Sequence, residues 1–253
     1  RHERVLRPAL NRTGSFRCEV RRGDELLEEA IIAVVPAPRG DVSLATTNVG
    51  AHFVINPEHA RLMRCLGIRW ARFHDCCTAP WWSTVEPEQG KWVFDDAPVR
   101  ALAQEGCQAL GVLSWSFPQW ARDEKQDPQF PFRLDDWARY VEATVQHYKP
   151  WIRHWEVWNE AGGGPSPNRY AELLRVSHET IKRVDPQALV VAPCTFPHCD
   201  AWNRRVMIEE HGLQWTDVFS FHYGGWDPAS LGKMRALAED EGKERPVWNT
   251  ETN

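Results

Sequence analysis

The sequence predicts an α/β protein whose main body is a (β/α)8, or TIM, barrel stopping before its eighth strand, behind the tail of a β-sandwich module. Three observations predict it. After Asp41, short strand-like runs recur roughly every 30 residues with an amphipathic stretch in each gap, which is the pattern of βαβ units and of a parallel sheet. No Gly-rich turn of the dinucleotide or phosphate-loop type follows the first run, which disfavours a doubly wound sheet. The fourth and seventh runs each end in a carboxylate, as Trp155-Glu-Val-Trp-Asn-Glu160 and Val247-Trp-Asn-Thr-Glu251.

Before Asp41 the texture differs. Gly14 to Val20 alternates apolar and polar, Arg22-Gly-Asp24 reads as a turn, and Glu28 to Val35 runs apolar, so a hairpin is expected. Residues 1–37 are therefore assigned to the C-terminal part of a β-sandwich-like domain, 38–41 to a linker stiffened by the prolines of Pro36-Ala-Pro-Arg-Gly40, and 42–253 to the barrel. Within the barrel, strands are expected at Val42–Ile55, Ile68–His74, Ala109–Trp115, Ile152–Glu160, Ala188–Ala192, Val218–Tyr223 and Pro246–Glu251. Helices are expected at Glu58–Leu66, Ala97–Gln104, Leu134–Tyr148, Arg169–Val184, Asp200–His211 and Pro228–Glu241, where apolar residues fall at helical spacing. Seven strands and a missing eighth read as a fragment cut at both ends. Two strand edges are then left without partners, an invitation to aggregation.

Composition narrows the function classes. The 42% hydrophobic and 26% charged content is that of an ordinary globular domain, and a net charge of -5 without a basic run argues against a nucleic-acid partner. No apolar stretch approaches the roughly 20 residues of a membrane span. Residue 1 is Arg, so the N-terminus gives no reading of compartment. Seven cysteines without C-x-x-C pairing read as mostly free thiols, with a Cys194–Cys199 link open. No H-E-x-x-H register accompanies His147, His154 and Glu156, and no G-x-S-x-G elbow is present, so neither a metal cofactor nor a serine nucleophile is expected. The 14 tryptophans suit either core packing or stacking on sugar rings.

In a parallel barrel every strand opens its C-terminal end onto one face, so Glu160 and Glu251 can meet across one mouth although 91 positions separate them. Two facing carboxylates are the apparatus of glycoside hydrolysis: one protonates the leaving oxygen, and the other attacks the anomeric carbon or activates water. A single Glu at a strand end is more often a salt-bridged rim residue. It is the pair, each member preceded by apolar strand and flanked by Trp and Asn, that carries the expectation.

At these residues the chain resembles the clan A retaining glycoside hydrolases, and from Asp41 onward families 39 and 5. Trp158-Asn159-Glu160 and Thr250-Glu251 match the clan's strand-four and strand-seven endings. Arg72, in Ile68-Arg-Trp-Ala-Arg-Phe-His74, stands where the clan ends strand two in arginine. Trp82 to Gly90 with Trp92-Val-Phe94 resembles the segment that follows, and His222-Tyr223 falls where strand six carries a His or Tyr. The resemblance implies Glu160 as general acid/base, Glu251 as nucleophile and Asn159 as partner of the sugar 2-hydroxyl, with an oligosaccharide, polysaccharide or glycoside as substrate.

The chemistry is consistent with those roles. An acid protonated at working pH wants a poorly solvated site near a negative charge, which Trp155, Trp158 and Glu251 would supply. Arg72 would favour an ionised nucleophile, or else form an interior ion pair that only stabilises the barrel. His222 and Tyr223 have opposite strand parity, so one of the two is expected to face the cleft. His74 and Asp75 read either as ligands of sugar hydroxyls or as a pair satisfied by its neighbours. Trp115 and Trp120, flanking Phe117-Pro118, read as subsite walls or core. Glu156 shares parity with Glu160 but sits deeper, as a buried hydrogen-bonding residue.

Two departures from the clan pattern stand out. Ala161 and three glycines replace the usual proline after Asn-Glu, and the eighth strand that commonly brings a Trp floor is absent. Two rival readings follow: a catalytically inactive carbohydrate-binding barrel, and an inverting hydrolase distinguished by wider carboxyl separation.

Overall fold

The computed structural model describes residues 12–34, 47–114, 116–224, 227–240 and 243–252. The linker, the expected strand start at Val42 and the candidate Trp115 lie outside the described residues. The chain divides into two compact units, Arg1–Val42 and Ser43–Asn253.

In the first unit, β1 (Gly14–Arg22) and β2 (Glu25–Val34) pair antiparallel across the two-residue turn Gly23-Asp24. Gly23 takes φ 60°, a left-handed conformation that glycine adopts without a Cβ clash. A register shift at Val20/Arg21 marks a bulge.

The second unit alternates strand and helix: β3 (Gly50–Ala51), α1 (Pro57–Leu66), β4 (Trp70–Phe73), α2 (Trp82–Val85), α3 (Ala97–Gln104), β5 (Gln108–Leu113), α4 (Leu134–Tyr148), β6 (Ile152–Val157), α5 (Pro167–Val184), β7 (Leu189–Thr195), α6 (Asp200–Arg204), β8 (Val218–His222), α7 (Pro228–Ala238), a small hairpin of β9 (Glu239–Asp240) and β10 (Lys243–Glu244), and β11 (Val247–Glu251). Seven parallel strands, β3-β4-β5-β6-β7-β8-β11, form a nearly closed barrel with helices between them. All seven expected strands are present, most of them shorter than expected, and α6 ends early in a π-helical turn, Arg205–Glu209. Among the described residues no helix is long and apolar enough to cross a membrane.

Strand alternation sorts the side chains into two shells. Outward-facing residues such as Phe73, Trp155, Val157, Phe219 and Phe221 are buried under the helices. A Cβ on Gly111 would lie 2.6 Å from the Trp155 ring, so only glycine lets that indole lie flat on β5. Inside the barrel, Trp70, His154 and Trp248 form an aromatic layer with ring centroids 4.7 to 5.2 Å apart. Two residues further along the same strands come Arg72, Glu156 and Thr250, so the polar layer stacks on the aromatic one towards the C-terminal mouth.

Much of the tryptophan surplus is core. Trp82 stacks on Tyr140 and meets Phe132 and Trp137 edge-on. Glu86 is wholly buried, accepting from the Trp82 indole, the Gly90 amide and the Arg139 guanidinium. The Trp82–Gly90 segment is thus scaffold that pins the loop after β4.

Candidate active site

The polar layer is organised by one cation. Arg72 is 4% exposed and donates Nε to Glu156 Oε2 at 2.7 Å, Nη1 to Glu251 Oε2 at 2.8 Å and Nη2 to Asn159 Oδ1 at 2.7 Å. Glu156, fully buried, also accepts from Thr250 Oγ1 at 2.7 Å. Burial opposes its ionisation, but Arg72, His222 and the Thr250 hydroxyl outweigh burial and hold its carboxyl below the ordinary value.

Glu251 ends β11 at the mouth. Burial again resists its charge, and the Tyr223 hydroxyl, donating to Oε1 at 2.7 Å, together with His222 and Arg72 holds the carboxyl below its usual range. Tyr223 itself is pushed up to about 12, chiefly by that bond. Glu160 lies across from Glu251, its side chain 36% exposed. His222 sits between them, Nδ1 at 3.3 Å from Glu160 Oε1 and 3.8 Å from Glu251 Oε2. One oxygen from each carboxylate and the ring nitrogen lie within 4.8 Å of one another.

Strained backbone aims these side chains. Trp158, Glu160, Cys194 and Tyr223 all have positive φ, 72°, 52°, 54° and 55°, a region costly for residues with a Cβ and found mostly where function demands it. This corrects two expectations. The strand expected to run to Glu160 ends at Val157, because the chain turns left-handed at Trp158 and lifts Glu160 to the rim. The parity argument that admits only one of His222 and Tyr223 fails as well. Tyr223 lies just beyond β8, where its left-handed turn brings it to the same side as His222.

The other candidates divide. Asn159 is bound through its carbonyl oxygen, which leaves its amide N–H groups to donate. His74 is 7% exposed, with Nδ1 3.6 Å from Asp75, and burial and Arg72 push its pKa down to about 4. Asp75 pairs at 2.7 Å with His52, a residue not singled out from the sequence. Trp155 is core, fully buried and packed on Gly111. Trp158 packs on Phe130 but also lines a cleft of about 470 Å³ beside Glu160, with Asn159, Phe117, Gln129 and Phe196. Trp120 meets Trp82 edge-on and donates to the Glu86 carbonyl, so it is scaffold. A second cleft of about 690 Å³, between β3 and β11, is bordered by Gly50, Trp70, Arg72, Trp248 and Glu251.

All seven cysteines are free, so the open Cys194–Cys199 link is not formed. Gly162, in the loop after Glu160, packs so closely that a Cβ would lie 2.4 Å from Thr195 Oγ1 and 3.2 Å from Cys199. Among the described residues, three groups of donors are close enough to share an ion: His52-Asp75-Cys76, Glu156-Cys194-His222 and Glu160-His222-Glu251. In the first Asp75 already meets His52 at 2.7 Å, and in the other two Arg72 serves as the resident cation, so no metal is assigned.

The arrangement is an ionised carboxylate and a more exposed carboxyl facing each other over a cleft mouth, braced from below by a guanidinium. That is the equipment for acid-assisted substitution at an acetal carbon.

Solved structures share this fold. A family 39 glycoside hydrolase from the gut symbiont Bacteroides cellulosilyticus superposes with a TM-score of 0.71 at 20% identity, over 95% of this chain and 56% of that one. A family 39 β-xylosidase from Caulobacter crescentus gives 0.59 at 23%, over 81% and 53%. A family 10 xylanase from Thermobacillus composti gives 0.54 at 17%, over 78% and 65%. The chain spans about half the length of the two family 39 structures. No protein-family model matches it, and no curated protein matches it.

Proposed function

We propose that the second unit is the catalytic barrel of a retaining glycoside hydrolase that cleaves β-linked carbohydrate by double displacement, preceded by a β-sandwich-like module to which β1 and β2 belong. The observation that carries this reading is that Glu160 and Glu251 face each other closely, with one carboxylate oxygen of each within 4.8 Å of the other. Retaining enzymes hold their carboxyl groups about 5 to 5.5 Å apart, whereas inverting ones leave about 6.5 to 9.5 Å for a water.

Glu251 is the nucleophile. Its Tyr223 and Arg72 donors, with His222 close by, keep it ionised, and these contacts weaken as charge moves onto the sugar bond. Glu160 is the general acid, and later the base that activates water. Its greater exposure and its place beside the cleft of Phe117, Gln129 and Phe196 suit a group that meets the leaving half of the substrate. Asn159 offers its amide to the 2-hydroxyl, and His74 lies near enough to Arg72 to meet a neighbouring hydroxyl.

The test is covalent trapping. A panel of activated 2-deoxy-2-fluoro-β-glycosides, whose fluorine slows the second step, is incubated with the protein and digests are read by mass spectrometry. A glycosyl adduct on the peptide carrying Glu251 is expected. Hydrolysis of aryl β-glycosides with inverted product and no adduct would overturn the retaining assignment.

A further inference from the structure

Cys194 takes no part in the scheme above, yet its thiol is fully buried against the acid machinery. Sγ lies 3.0 Å from His222 Nε2, on the far side of the ring from the two carboxylates. The sulfur already accepts from Arg72 Nη2 at 3.6 Å and from the backbone N–H of Glu160. Its own proton has three nearby acceptors. Asn159 Oδ1 is at 4.0 Å and already holds Arg72, and Glu156, whose two oxygens accept from Arg72 and Thr250, keeps lone pairs that the thiol also faces. His222 Nε2 is the short contact.

The geometry points to Cys194 as a positioning residue: its S–H donates to Nε2 of His222, fixing the ring as the tautomer that carries its proton on Nδ1, facing Glu160 and Glu251. The inference rests on the glycosidase reading for its purpose. An unprotonated Nδ1 would present a lone pair 3.3 Å from Glu160 and accept the proton meant for the leaving oxygen. A protonated Nδ1 offers Glu160 no such acceptor and turns an N–H dipole towards Glu251, 3.8 Å away.

The charges around the pair are compatible with two neutral partners. Burial pushes the Cys194 thiol up, reinforced by Glu156 and opposed by Arg72. Burial pushes His222 down, reinforced by Arg72 and opposed by Glu156, Glu251 and the contact with Glu160. A thiolate–imidazolium pair would need both shifts reversed.

Protein labelled with 15N-histidine tests this directly, because protonated and unprotonated ring nitrogens resonate far apart. Among the ten histidines, the His222 signals are those lost in His222→Gln. Nδ1 protonated and Nε2 bare at neutral pH is the expected spectrum, and the reverse pattern, or an imidazolium, overturns the inference. Cys194→Ala should move the proton to Nε2, towards Glu156, while Cys194→Ser, which keeps a donor, should retain the wild-type pattern. An unchanged tautomer in Cys194→Ala also overturns it. In kinetics, Cys194→Ala should slow substrates with poor leaving groups about 10-fold more than activated ones, with Ser restoring most of the loss. The expected tautomer without turnover of any glycoside would uphold the tautomer and sink the glycosidase reading.

Discussion

The Tyr223 hydroxyl donates to Oε1 of Glu251 at 2.7 Å from a residue whose φ is 55°, beyond the last residue of β8. The backbone N–H of Tyr223 also bonds the Glu251 carbonyl at 2.8 Å, so the two residues are clamped at main chain and side chain. A carboxylate held this way keeps its orientation as well as its charge.

Tyr223→Phe therefore removes a donor and leaves the ring in place. The Glu251 carboxyl, now below its ordinary value, should titrate higher, and because the proposed nucleophile must be ionised the acid limb of the kcat/KM profile should move to higher pH. A loss of roughly 10-fold or more at the optimum is expected, about 1.4 kcal/mol. A profile whose acid limb stays fixed while the rate falls would mean the hydroxyl acts on something other than the charge of Glu251.

Glu251→Ala should abolish turnover, and azide should rescue it with inverted product, since the anion fills the vacated space and attacks once. Glu160→Ala should spare substrates whose leaving groups need little protonation. If activated and unactivated substrates lose rate equally, Glu160 is not the acid.

Arg72→Met tests the polar layer through stability. In the wild type the Glu156 carboxyl is depressed below its ordinary value, so its contribution is present above the unfolded pKa and lost as pH falls through the folded one. Without Arg72 the buried carboxylate has lost its main counter-charge, its folded pKa rises above the unfolded one, and the sign reverses: stability is lost as pH rises. The variant should be destabilised by about 3–5 kcal/mol at neutral pH and should melt higher near pH 5 than near pH 7. Thermal scans across that range decide it, and a variant with the wild-type trend would show that Glu156 does not depend on Arg72.

The barrel was legible because its signal is repeated. Each strand run and each amphipathic stretch repeats the same period, so errors of a few residues at Glu160 or Gln108 leave the topology intact. The candidate carboxylates stood out for the same reason, since strand order alone brings the two ends to one mouth. What stayed hidden depends on single backbone torsions or on contacts across the barrel. Nothing in Ala192-Pro-Cys194-Thr195 announces that a thiol meets His222, and His52 pairs with Asp75 through a contact between neighbouring strand ends. Alternation likewise has no authority at Tyr223, where the strand has already ended. The tryptophans misled in part: Trp155 and Trp120 brace the scaffold, and among the described residues Trp158 alone of the tryptophans lines the cleft beside Glu160.

Gly162→Ala probes the loop behind the proposed acid, Glu160. The added methyl would meet Thr195 Oγ1 at 2.4 Å and Cys199 at 3.2 Å, so either the loop or β7 must shift. A cost of about 1–3 kcal/mol is expected from overpacking, together with a rate loss concentrated on substrates that need protonation. Equal losses on activated and unactivated substrates would mean the displacement does not reach Glu160.

Asn159 closes the set, because its two functional ends face different partners. Its carbonyl oxygen accepts from Arg72 at 2.7 Å, which fixes the side-chain plane and turns the amide N–H groups away from the guanidinium. If that amide meets the sugar 2-hydroxyl, the contact strengthens as positive charge builds at the neighbouring anomeric carbon, so the residue acts in the transition state more than in the ground state. Asn159→Ala should then lose on the order of 10²-fold in kcat, about 3 kcal/mol, with little change in KM. The alternative is that Asn159 serves only to hold Arg72 and its own strained turn. The 2-deoxy substrate separates the two, since it lacks the hydroxyl but uses the same loop. A mutational loss confined to the full substrate places the amide on the sugar, whereas equal losses on both substrates place it on the scaffold.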